Sequence, residues 1–77
     1  MDDKRALRIP VDGLGCGGAG ATTIERALAA SDGVVRVYVN PATETAYVYY
    51  DPSKTDPQVL AQAIEDAGYH AGRPLEA

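Results

Sequence analysis

From Lys4 to Val11 the chain alternates, with Leu7 and Ile9 on one side and Arg8 on the other. A period of two over that length predicts a β-strand with one buried face. The next stretch, residues 12–20, breaks the pattern because five of its nine residues are glycine. Glycine inside a helix costs about 1 kcal/mol relative to alanine, so a loop is predicted here. Ala21 to Ala30 then carries helical spacing, with Ile24, Ala27 and Leu28 on one face and Thr22 or Thr23 placed to cap the start. Ser31-Asp32-Gly33 stops that helix.

Two strands rich in Val and Tyr follow, Val34 to Asn40 and Thr45 to Asp51. The four residues between them, Pro41-Ala42-Thr43-Glu44, have the length of a hairpin loop. Val35, Val37 and Val39 alternate with Arg36 and Tyr38, and Ala46, Val48 and Tyr50 alternate with Tyr47 and Tyr49. Asp56 is placed as an N-cap, with Pro57 at the first helical position. Leu60, Ala63, Ile64 and Ala67 form an apolar stripe that ends at Gly68. A short last strand, Tyr69 to Arg73, and a tail, residues 74–77, complete the chain. The order βαββαβ predicts an α+β fold of ferredoxin-like layout: a four-stranded antiparallel sheet with two helices on one face. Residues 1–77 read as one domain with its core at about 5–72. The expected core is Leu7, Ile9, Ile24, Leu28, Val37, Val39, Val48, Leu60 and Ile64.

Charge narrows the function. Lys plus Arg is 7 and Asp plus Glu is 11, giving −4. A nucleic-acid backbone binder would carry a basic surface, so nucleic acid is not an expected partner. No apolar run approaches the roughly 20 residues that span a bilayer, so no membrane insertion is expected. The polar start Met1-Asp2-Asp3-Lys4-Arg5 leads into no apolar signal core. One cysteine closes no internal disulfide. These features predict a small cytoplasmic binding module and not an enzyme.

The chemistry concentrates in Asp12-Gly13-Leu14-Gly15-Cys16-Gly17-Gly18-Ala19-Gly20, between a strand and a helix N-terminus. Three uses of this loop compete. The positive end of a helix dipole favours a thiolate, and thiolates select soft ions such as Cu(I). One sulfur needs a second ligand, either His70, which follows Tyr69, or Cys16 of a second molecule. Alternatively, Gly13-x-Gly15-x-x-Gly18 has dinucleotide-fingerprint spacing, and a nest of backbone N–H groups can hold a small anion. The doubly wound sheet that the fingerprint serves is absent, because Val34 opens a hairpin. Lastly, Cys16 and His70 have the residue types of a nucleophile and base, with no third residue to orient them. Against all three stands an unpaired thiol in a loop that needs its glycines for backbone conformation alone.

Several segments together carry a resemblance: Val11-Asp12-Gly13-Leu14; Ile24-Glu25-Arg26-Ala27-Leu28; Gly33-Val34-Val35-Arg36-Val37-Tyr38-Val39; Val48-Tyr49-Tyr50-Asp51-Pro52; Leu60; and Ala63-Ile64-Glu65-Asp66-Ala67-Gly68-Tyr69. In this order the chain resembles the heavy-metal-associated domain of copper chaperones, mercury-binding proteins and the N-terminal modules of copper-transporting ATPases. The resemblance implies soft-metal binding or delivery, Cu(I) first, with a metal-transporting ATPase or another heavy-metal-associated domain as partner. Another soft ion, or no ion, is equally compatible with the loop. The family motif is Gly-Met-x-Cys-x-x-Cys. Counted from Gly13, Leu14 stands for Met, Cys16 is the first ligand and Ala19 occupies the second position. Counted back from Ile24-Glu25, the ligand positions fall on Gly17 and Gly20, and Cys16 sits one residue early. In neither register is there a second cysteine, so the motif is degenerate. Cys16 is the one thiolate that transfers, and two protomers could share an ion through it. By resemblance, Gly13, Leu14, Gly15, Gly17 and Tyr69 line the site, with His70 as a secondary candidate ligand. The alternative function is a relative without metal, acting as a protein-interaction or small-anion module.

Alternation leaves Tyr38, Tyr47 and Tyr49 on the sheet face away from the helices, together with Arg8 and Arg36. That face reads either as a solvated surface or as a protein-contact surface.

Overall fold

The computed structural model describes residues 3–14 and 19–76. The elements are β1 (Arg5–Asp12), α1 (Ala19–Ala29), β2 (Val34–Asn40), β3 (Thr45–Tyr50), α2 (Pro57–Asp66), β4 (His70–Ala71) and β5 (Leu75–Glu76). The sheet order is β2-β3-β1-β4, all antiparallel, with β5 also on β1. Two helices packed on an antiparallel sheet is the ferredoxin-like layout that the element order predicts.

The tail is the first correction. Within the expected tail, Leu75 pairs with Arg8 and Glu76 with Leu7. β4 and β5 lie along the same edge of β1, and their registers differ by one residue. Gly72 N–H donates to the Pro10 carbonyl at 2.7 Å within this interruption. In a strand a residue's N–H and C=O point to the same edge, so the donor that Pro10 lacks also faces the interruption. The sheet thus has five strands among the described residues, the fifth of two residues.

The second correction concerns β2. Val34 pairs with Tyr50 and Arg36 with Tyr49, so Val35 is an extra residue in a bulge. Val34, not Val35, packs against the core, and Val35 is 54% exposed. Beyond the bulge the alternation holds, with Val39 buried and Tyr38 exposed. The third correction is the start of α1. Thr22 and Thr23 lie inside this helix rather than capping it, and Gly20 is already helical.

The core contains the expected residues. Leu7, Ile9, Ile24, Leu28, Val39, Val48, Leu60 and Ile64 are buried, and Val37 is half-buried against them. Val11, Leu14, Ala21, Ala46 and Tyr50 join them. Tyr50 keeps its hydroxyl at the margin, where it donates to Glu76 Oε2 at 3.3 Å. Burial, and then the nearby Glu76 carboxylate, hold its phenol above the ordinary value.

Helix α2 is capped at both ends. Asp56 Oδ1 accepts from the Val59 N–H at 3.0 Å, and Pro57 follows at the first position. At the other end Tyr69 N–H reaches the Ile64 carbonyl and Gly68 N–H reaches the Glu65 carbonyl. These two bonds define a Schellman motif, with Gly68 left-handed at φ +99°.

Candidate metal centre

The glycine loop begins where β1 ends. Gly13 has φ +93°, a conformation that a side chain resists, and it turns the chain after Asp12. Leu14 then enters the core at 5% exposure. Its side chain joins the core cluster at the end of this loop stem. The loop returns to the core through α1, where Ala21 and Ile24 are buried. Gly15, Cys16 and Gly17 lie outside the described residues. Ala19, the second ligand position counted from Gly13, is the first residue of α1.

The Schellman motif decides where Tyr69 goes. By ending α2 at Gly68 it carries Tyr69 across to the loop, half-buried against the core. A Cβ built on Gly13 would meet Tyr69 Cδ1 at 3.7 Å. One built on Gly20 would meet the Tyr69 hydroxyl oxygen at 3.0 Å and the Leu14 carbonyl oxygen at 3.0 Å. The structure therefore brings Gly13, Leu14, Gly20 and Tyr69 together around both stems of the Cys16 loop. Gly20 is the member that sequence reasoning named only as a ligand position in one register, not as a point of close packing. Its signal was present, a glycine at the loop–helix junction, but the close approach that requires it comes from a residue 49 positions later (69 − 20).

His70 stands differently. Its backbone pairs with Asp12 beside the loop stem, while its side chain is 81% exposed. Its Nδ1 lies 4.0 Å from Glu65 Oε2. Among the described residues no group of three or more His, Cys, Asp or Glu side chains converges on a metal-sized space. No helix among them is long and apolar enough to cross a membrane.

Comparison with known proteins bears directly on this loop. The family model described as "Heavy-metal-associated domain" matches residues 8–70, which include it. A copper-exporting P-type ATPase of Bacillus subtilis is 39% identical over 70 residues, 91% of this chain and 9% of the ATPase. The periplasmic component of a mercuric transport protein from Pseudomonas fluorescens is 38% identical over 65 residues, covering 84% of this chain and 70% of that protein. The chain thus spans less than a tenth of the first ATPase relative. Among solved structures, a copper binding domain from a P-type ATPase superposes with TM-score 0.88 at 30% identity, covering 94% of this chain and 96% of that one. The CopZ metallochaperone gives 0.78 at 34% identity, covering 91% and 100%. With the fold, the order of elements and the loop position all agreeing, the chain belongs to the heavy-metal-associated domain family.

Proposed function

We propose that this domain binds a soft metal ion, Cu(I) first, through the Cys16 thiolate, and hands it to another heavy-metal-associated domain such as that of a copper-transporting ATPase. The observation that carries this reading is the family match over residues 8–70, with Cys16 in the loop that joins β1 to the start of α1. The ion is cargo, so exchange matters more than retention. A thiolate ahead of a helix N-terminus is favoured by the dipole. Cu(I) accepts two thiolates, and each chain supplies one, so two protomers share one ion. Glycines on both sides of Cys16 let two loops approach without side-chain obstruction. Tyr69, against Gly13 and Gly20, supports the loop stems and screens one side of the site. His70 serves as the secondary ligand, and it must leave Glu65 to do so.

Anaerobic Cu(I) titration against a chromophoric chelator tests this reading. The expected result is half an equivalent of Cu(I) per chain, a dimer mass on loading, and loss of both in Cys16→Ser. Tight uptake of a full equivalent by a monomer, unchanged in Cys16→Ser, overturns it. Absence of uptake by the wild type favours the module without cargo.

A further inference from the structure

The sheet face away from the helices has a composition unlike the rest of the molecule. Tyr38 and Tyr47 are directly opposite in register, with ring centroids 6.1 Å apart and planes 20° apart. Tyr49 sits beside them, and all three are exposed, Tyr38 the most at 55%. With Ala6 and Arg36 they line a shallow cleft of about 140 Å³. A cleft this shallow can take the face of one aromatic ring against the tyrosines. Register places a guanidinium on each flank, with Arg8 opposite Tyr47 and Arg36 opposite Tyr49. Neither arginine forms an ion pair among the described residues. The carboxylates of this face lie at its ends: Asp12 closes β1, and Asp51, two residues past Tyr49, already accepts from Ser53 N–H and Oγ at 3.0 and 2.7 Å.

We infer that this face docks an acidic, extended polypeptide that inserts one aromatic side chain between Tyr38, Tyr47 and Tyr49. Charge selects the occupant. The chain carries −4 overall, yet this face carries two arginines that form no ion pair among the described residues. A second copy stacked face to face would bring four guanidinium groups into one interface, with carboxylates only at its margins and Asp51 already held by Ser53, and like charges so placed cost affinity. A nucleic-acid strand would meet only two cations on an otherwise acidic molecule, too few for phosphate-driven binding. A short acidic peptide answers both arginines, and its aromatic ring stacks in the cleft while the tyrosine hydroxyls stay wet. This face is opposite the helices, so docking is independent of the Cys16 loop.

The chain has no tryptophan, so a tryptophan probe reports binding without background. The probe is the acetylated, amidated heptapeptide Ser-Glu-Ser-Trp-Ser-Glu-Ser, with one acid for each arginine, titrated in chelator-containing, low-salt buffer. Expected are a blue-shifted tryptophan emission and amide shifts at Tyr47 and Tyr49. Arg36→Glu should weaken binding at least fivefold, the loss of one exposed charge pair and its replacement by a repulsive one. Arg8→Gln and Tyr38→Ser provide milder variants, each checked for native amide dispersion. No amide shift on this face overturns the proposal, as does equal binding of the peptide with Lys in place of each acid. Tighter binding of an oligothymidylate assigns the face to nucleic acid. A dimer in sedimentation that Tyr38→Ser dissolves assigns it to a second copy. Either result refutes the acidic-peptide occupant.

Discussion

Gly33 and Gly68 form a matched pair. Both are left-handed, at φ +92° and +99°, and each follows a helix. They differ in what surrounds them. A Cβ on Gly68 would have nothing within 4 Å. A Cβ on Gly33 would lie 2.8 Å from Lys54 Cβ, 3.1 Å from Thr55 Cγ2 and 3.3 Å from Thr55 Cβ. Those atoms sit next to the backbone, so no flexible side-chain end can swing aside. The Gly33 carbonyl also accepts the Asp51 N–H at 2.8 Å, so displacement there pulls on the join between β2 and β3. A left-handed alanine costs about 1–2 kcal/mol. Reduced freedom of the unfolded chain returns about 0.4–1 kcal/mol. Gly68→Ala should therefore lose about 1 kcal/mol. Gly33→Ala loses the same plus about 1–3 kcal/mol for the forced contact, or about 2–4 kcal/mol in all. A domain of this size holds on the order of 5 kcal/mol, so Gly33→Ala should remain only marginally folded. Urea unfolding of the metal-free protein, followed by circular dichroism, measures both. Equal costs for the two variants, or a larger cost for Gly68→Ala, would refute the claim that the approach of Lys54 and Thr55 is what fixes Gly33.

The scaffold should not need the site: in a chelator, Val48→Ala should cost about 1–3 kcal/mol and Cys16→Ala much less by urea unfolding, and the reverse order would defeat that separation. Glu25 Oε2 accepts the Val39 N–H at 2.9 Å on the outer edge of the sheet, so Glu25→Ala should cost about 1 kcal/mol and speed amide exchange at Val39 more than at Val48. Tyr50 has a phenol pKa raised above 10.0 by burial and by Glu76. The stability tied to its proton is whole below pH 10 and is lost as pH rises through the folded value. Alkaline urea midpoints should therefore fall less steeply in Tyr50→Phe than in the wild type.

The chain's local chemistry settled most of the elements and left their mutual approach open. Asp56-Pro57 and Gly68 mark the two ends of α2 because capping and left-handed termination need only neighbouring residues. The strands β2 and β3 and the buried positions on α2 follow from periodicity, which is also local. The bulge that turns Val35 outward is not local. It arises in the pairing of β2 with β3, whereas alternation alone put Val35 on the same side as Val37 and Val39. Leu75–Glu76 shows no strand pattern, and only the free edge of β1, with the Tyr50 hydroxyl and Arg5 meeting Glu76, makes it one.

The candidate site divides in the same way. The loop between β1 and α1 was legible, because a glycine run between a strand and a helix has few structural uses, and the place of Tyr69 beside its stems is what the resemblance implied. What crowds Gly20 was not legible. It is the meeting of the Tyr69 hydroxyl and the Leu14 carbonyl at one point in space, brought about by two segments far apart in the chain. Short-range propensity fixes where a chain bends and which face it hides. Close approach between distant segments is decided only when the faces are packed, and here that packing fixed the stems of the Cys16 loop.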